Sequence, residues 1–209
     1  SNGSLAYRRL TPLTVSQERK ELGKSRSTTQ ASRKNSYDVF FATNRDAIYE
    51  RGKLVSFGKK NAKVLHYGVC EVIVPDSHRV GSLGSPMWRR LLNGKDDRLR
   101  IDELIALSDE LFWRFISDTS RKMKVKECPT LFVHGFNTSF EHAILRSAQV
   151  GFDLGIGQGI GLFSWPSKGS ILSYNADEAS VEASKYFLAD FIGDFVKNFP
   201  TERINLIAH

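Results

Sequence analysis

Three short apolar runs, separated by two stretches of helical length, constrain this chain more than any other feature. They are Pro129–Val133 (PTLFV), Ile160–Trp165 (IGLFSW) and Arg203–Ala208 (RINLIA). Each is too short for a core helix and is apolar at successive positions, so both sides of the backbone ask for burial. Between the first two runs a helix is expected from about Ser139 to Leu154, with Thr138 or Ser139 as its N-cap and Glu141 in its first turn. Gly155, Gly157, Gly159 and Gly161 break it. Between the second and third runs a helix is expected over about 175–198, with Val181, Leu188, Ile192, Phe195 and Phe199 on its apolar stripe and Pro200 as its stop. Strand–helix–strand–helix–strand with continuously apolar strands predicts an α/β fold, a mostly parallel sheet with helices on both faces.

Upstream, Tyr37–Ala42 (YDVFFA) reads as a strand closed by Thr43-Asn44-Arg45-Asp46, and the charged residues 47–63 as loop or hairpin. His66–Val74 (HYGVCEVIV) alternates as a half-buried strand that Pro75 ends. These two strands would add an antiparallel or mixed edge to the sheet. Residues 76–100 read as an irregular excursion. Asp102–Met123 is expected to be helical, with Leu104, Leu107, Leu111, Phe115 and Ile116 on one stripe. There is no internal repeat, so the organisation expected is a polar tail over 1–36 and one domain over 37–209.

The net charge of +7 belongs mostly to that tail. Residues 1–36 carry eight Lys or Arg against Glu18 and Glu21, which accounts for six of the seven charges. A Ser/Thr/Gln/Lys/Arg composition is that of a solvated linker. Nothing interleaves aromatic with basic residues as a nucleic-acid groove does, so no nucleic-acid partner is expected. No run of 18 apolar residues occurs, so no transmembrane segment is expected. Cys70 and Cys128 read as buried thiols, and without a CxxC or a paired Cys/His spacing no metal site is expected. Ser1-Asn2-Gly3-Ser4 reads as a tag remnant. The compartment therefore stays open, with the cytoplasm as the default.

Two places carry chemistry. In Phe132-Val133-His134-Gly135-Phe136-Asn137 a strand ends in His-Gly and turns into a helix. Such a loop points backbone N–H groups outward at the C-terminal edge of a sheet, where they can stabilise the oxyanion of an acyl-transfer intermediate. The second is Ile204–His209, an apolar strand closing on Ala-His, which is how a strand enters a nucleophile elbow. The segments FVHGFNTSFEHA, LFSWPSKGS, Tyr174-Asn175-Ala176-Asp177 and INLIAH, together with YDVFFATNRD and LHYGVCEVIVPDSHRVG, resemble a bacterial esterase/lipase-like branch of the α/β-hydrolase superfamily. The resemblance covers about 37–209.

It implies the N-terminal portion of an α/β-hydrolase fold and a serine hydrolase acting on a small-molecule ester or other acyl bond, with no cofactor. Phe136 would donate its backbone N–H to the oxyanion, with Asn137 the neighbouring candidate and His134 and Gly135 shaping the loop. His209 would hold the elbow position before the nucleophile, and Trp165 and Tyr174 would line the substrate pocket. In that branch the strand continues as Ser-Met-Gly, so the nucleophilic serine, the acid and the base are all expected beyond His209. Asp153 and Asp177 are not expected to be triad acids, nor any of the five histidines the base. The open edge of the last strand would pair with the remainder of the domain or with another chain. The alternative is a non-catalytic interaction module on the same scaffold.

Overall fold

A computed structural model describes residues 35–83, 98–121, 128–157, 159–167, 174–199 and 203–209, the side chains of 174–179 excepted. Most of the expected tail and much of the irregular excursion lie outside these residues. The described strands are β1 (Ser36–Glu50), β2 (Lys53–Ile73), β3 (Arg100–Leu107), β4 (Thr130–Val133), β5 (Ile160–Ser164) and β6 (Asn205–Ala208). The described helices are α1 (Asp109–Ser120), α2 (Phe140–Asp153) and α3 (Tyr174–Asn198).

The six strands form one sheet in the order β3-β2-β1-β5-β4-β6. β1, β5, β4 and β6 run parallel; of the two strands expected to form an antiparallel or mixed edge, only the HYGVCEVIV strand does so, in β2 with β3, while Tyr37–Ala42 lies in β1 beside β5. This is the mostly parallel α/β-hydrolase-type sheet that the sequence predicts.

Alternation along the strands sorts the core onto two faces. On one, Phe41, Phe132, Leu162 and Cys70 pack with Phe140, Ala143, Ile144 and Ala148 of α2. Phe41 and Phe140 meet edge to face with ring centroids 5.1 Å apart. On the other, Phe40 meets Phe115 of α1 at 5.6 Å and Phe163 meets Phe191 of α3 at 6.1 Å. Helices thus cover both faces, as continuously apolar central strands require.

The chain leaves β4, passes through α2 and enters β5 on one side; it then returns through α3 to β6 on the other side of β4. Right-handed crossovers in opposite directions place α2 and α3 on opposite faces. The loops leaving β4 and β5 therefore part from each other at the C-terminal edge, and in open α/β sheets that divergence opens the ligand crevice.

One region departs from the sequence reading, and a second resolves an open choice. Residues 102–107 are expected to begin a helix but lie in β3, which pairs antiparallel with β2 from Tyr67↔Leu107 to Ile73↔Arg100. The apolar spacing there satisfies either period; pairing with β2 decides it. The helix begins after Ser108, whose hydroxyl accepts the Leu111 N–H, with Asp109 and Glu110 in the first turn. The charged stretch 47–63 is a hairpin. Arg51 and Gly52, at φ 49° and 79°, make the two-residue turn whose left-handed backbone matches the twist of the flanking strands. β1 last pairs with β5 at Thr43↔Ser164 and continues to Glu50. The β1–β2 hairpin therefore projects as an arm beyond the C-terminal edge, with register irregularities on either side of Arg45.

Candidate functional site

The C-terminal ends of β4, β5 and β6 bring together most of the residues singled out in the sequence. His134 follows β4 directly and is buried, 4% exposed. Its Nε2 lies 3.1 Å from the Trp165 backbone N–H and 3.4 Å from the Arg45 guanidinium, two groups that can only donate. Nε2 is therefore the acceptor and Nδ1 carries the proton, which it donates to the Gly135 carbonyl at 2.8 Å. Burial, with the Arg45 cation acting in the same direction, pulls the imidazole down to a pKa of about 4, so it is neutral at pH 7. With its lone pair directed at two donors, His134 is built as a brace rather than a proton acceptor.

That brace orients the next peptide. In a planar trans peptide the carbonyl of one residue and the N–H of the next point in opposite directions. The Gly135 carbonyl is drawn toward the buried ring, so the Phe136 N–H points away from it. Trp165 reinforces the arrangement. Its Nε1–H donates to the His134 carbonyl at 2.9 Å, and its ring stacks on the imidazole at 5.3 Å with planes 12° apart. The Phe136 side chain, 57% exposed, stands edge-on to Trp165 at 5.3 Å.

Asn137 takes the left-handed conformation at φ 55° and donates its N–H to Ser167 Oγ at 2.7 Å. Its amide is thereby engaged with the loop that follows β5. Ser139 is the N-cap of α2, accepting the His142 N–H at 3.1 Å, which settles the choice between Thr138 and Ser139.

Gly135 is dictated by close approach rather than by φ. A Cβ there would lie 2.5 Å from the His209 carbonyl oxygen and 3.1 Å from its carbonyl carbon. His209 continues the ladder, donating its N–H to the Val133 carbonyl at 3.1 Å. The backbone leaving β6 thus runs against the His-Gly turn leaving β4.

Tyr174 opens α3, but its side chain, like that of Asp177, lies outside the described residues. Asp153, at the far end of α2, accepts from His78 at 2.7 Å and from the Gly81 N–H at 2.7 Å. By topology this pair sits at the opposite edge of the sheet from the His-Gly turn. Among the described residues no group of three or more His, Cys, Asp or Glu side chains stands close enough to hold a metal ion. Also among them, no helix is long and apolar enough to cross a membrane.

The sequence reading missed Arg45, Ser164 and Ser167. Arg45 heads the fully buried side chains in size. Its Nε donates to Ser164 Oγ at 2.9 Å, Nη1 to the Gly58 carbonyl at 3.0 Å and Nη2 to the Thr138 carbonyl at 2.7 Å. A charged residue in the polar Thr43-Asn44-Arg45-Asp46 run after an aromatic strand was the signal available, and it reads as a surface turn until the partners are known.

Comparison with known proteins agrees with the fold. No curated protein and no solved structure matches the chain. Residues 114–209 match the family described as "Alpha/beta hydrolase of unknown function (DUF900)". That stretch runs from within α1 through the His-Gly loop to β6, and the match supports an α/β-hydrolase superfamily assignment.

Proposed function

We propose that this chain carries the oxyanion loop of a serine hydrolase that cleaves an ester or related acyl bond in a small-molecule substrate. The observation that carries the reading is the His134–Gly135 latch beside His209. The latch turns the Phe136 N–H away from the buried ring, and Gly135 lets the backbone leaving β6 pass within contact distance. A nucleophile delivered from the end of β6 would then stand next to a preorganised donor, the relation that acyl transfer needs.

Phe136 is the catalytic donor in this reading, and His134 and Gly135 are positioning residues. Asn137, whose N–H is engaged with Ser167 Oγ, shapes the loop. The nucleophile is the serine that the resemblance implies directly after His209, with the acid and base following it in the chain. Attack of the serine Oγ on the acyl carbon passes its proton to the base and leaves negative charge on the acyl oxygen, which the Phe136 N–H receives. The Phe136 and Trp165 rings would form one apolar wall for the acyl or alcohol group. Tyr174, which opens α3, is proposed as a further pocket-lining residue. The outer edge of β6, where Leu206 is 53% exposed, is proposed to pair with a further strand of the same domain or of another chain.

Fluorophosphonate labelling of the full-length protein tests this reading, with the adduct located by peptide mass spectrometry. One adduct, on the serine following His209, supports it. A folded protein that takes no label sinks it and favours the non-catalytic interaction module.

A further inference from the structure

Arg45 is the feature that the proposed chemistry leaves unexplained. It lies on β1 just past the last parallel pair with β5 and is 0% exposed. Burying a guanidinium costs several kcal/mol unless its donors are met. Here they are met by oxygens of three separate elements: Gly58 on the hairpin arm, Ser164 at the end of β5, and Thr138 in the loop after β4. Among the described residues no carboxylate reaches it at ion-pair distance. Glu141 and Asp46 act on it from further away, and burial draws its pKa down to about 10, so it stays a cation at neutral pH. A lysine could not replace it. One ammonium nitrogen cannot meet oxygens that the three nitrogens of the planar fork reach separately.

We infer that Arg45 is a positioning residue for the oxyanion loop, holding the Phe136 N–H in place through the Thr138 carbonyl and through Nε2 of His134. The inference rests on the reading of 134–138 as that loop. The Thr138 contact ties the loop's far end to the body of the sheet. The Nε2 contact acts with the Trp165 N–H to keep the ring's lone pair on that side, which leaves the proton on Nδ1 for Gly135. Were the proton on Nε2 instead, the Nδ1 lone pair would face the Gly135 carbonyl, and the peptide carrying the Phe136 N–H would swing away. The groups facing the ring are Arg45 from β1, Ser164 and Trp165 from the end of β5, and Gly135 in the loop itself; His142 on α2 is a further cation when protonated.

The test uses the full-length protein with Arg45→Met and Arg45→Lys, a short-chain p-nitrophenyl ester as substrate, and 15N NMR of the His134 ring. Arg45→Met is expected to lower kcat by about 10- to 100-fold, the scale of a misplaced catalytic group, with KM changed far less. The pKa of His134, followed by the same NMR, should rise, because the ring loses a facing cation. With the Trp165 N–H left to hold Nε2 without Arg45, the ring should show a larger Nε2–H population than the parent. Arg45→Lys keeps the charge without the fork, and it should show the kcat loss with a smaller rise in the His134 pKa. Folded variants that keep the parent's His134 tautomer and pKa and the parent's kcat would overturn the inference. If Arg45→Met does not fold, Arg45→Lys alone decides, by kcat and by tautomer. If the parent hydrolyses no ester, the proposed function has failed; the NMR comparison still reports whether Arg45 sets the His134 tautomer, and an unchanged tautomer refutes the inference.

Discussion

Replacing Gly135 with alanine tests the contact on which the site depends. The added Cβ would start 2.5 Å from the His209 carbonyl oxygen and 3.1 Å from its carbonyl carbon and Nδ1. Carbon and oxygen must separate by about half an ångström or more, and both belong to strand ends held in the sheet, so neither can yield by a rotamer change. Overpacking of this kind costs about 1–3 kcal/mol. Displacing the end of β6 also removes the His209 N–H to Val133 hydrogen bond, worth about 0.5–1.5 kcal/mol net. Because β6 lies at the edge of the described sheet, it can relieve part of the strain by peeling back. The expected loss is therefore about 2–3 kcal/mol, or roughly 4–12 °C in Tm at about 2–4 °C per kcal/mol for a chain of this size. The matched control is Gly157→Ala, where a Cβ meets nothing within 4 Å. Thermal melts followed by circular dichroism, with urea titrations for the free energies, measure both. A Gly135→Ala melting point within about 1 °C of the control would refute the close approach of the two strand ends.

Other substitutions and conditions test separate parts of the structure. Ser139→Ala removes the N-cap of α2 and should cost about 1 kcal/mol in urea unfolding. Phe41→Ala empties the contact with Phe57 and Phe140 at a fully buried position and should cost about 3–5 kcal/mol by the same assay. His134 is held below its unfolded pKa, so between about pH 6.5 and pH 4 the unfolded chain binds the extra proton and stability falls as the pH is lowered. Urea midpoints at pH 7.5 and pH 5 should show this loss, and equal midpoints would contradict it. The Cys70 thiol is fully buried, which pushes its pKa well above the usual thiol range, so a disulfide reagent at pH 8 should leave it unmodified until the protein is unfolded.

The parts of the fold legible in the sequence are those where burial on two sides leaves a mark. Leu131, Phe132, Leu162 and Phe163 are adjacent apolar residues that fill opposite faces, and adjacency was the signal for a covered parallel sheet. The Ser139 cap and the His134-Gly135 turn were legible because local backbone chemistry demands those residue types. The strand over 100–107 was not, since Leu104 and Leu107 fit a helical stripe equally well; Ser108-Asp109-Glu110 was the start signal that outranked it. The hairpin arm was left open between loop and hairpin because its charged part alternates little: Lys59, Lys60 and Lys63 are all exposed, and Phe57 is the one buried side chain of 53–64. Arg45 was invisible as a core residue because its partners Gly58, Thr138 and Ser164 meet it only after the chain has folded. The family match covers the His-Gly loop and β6 but not β1, so it gave no guidance there.

The central claim is that the peptide between Gly135 and Phe136 presents its N–H to the charge that develops on an acyl oxygen. The most direct measurement is a crystal structure of the full-length protein phosphonylated by a fluorophosphonate, whose phosphoryl oxygen stands where the oxyanion would be. The account predicts the adduct on the serine following His209, with that oxygen about 2.7–3.1 Å from the Phe136 nitrogen and the His134 Nδ1–H still on the Gly135 carbonyl. A phosphoryl oxygen turned away from Phe136, or an adduct on a serine remote from the end of β6, would contradict it.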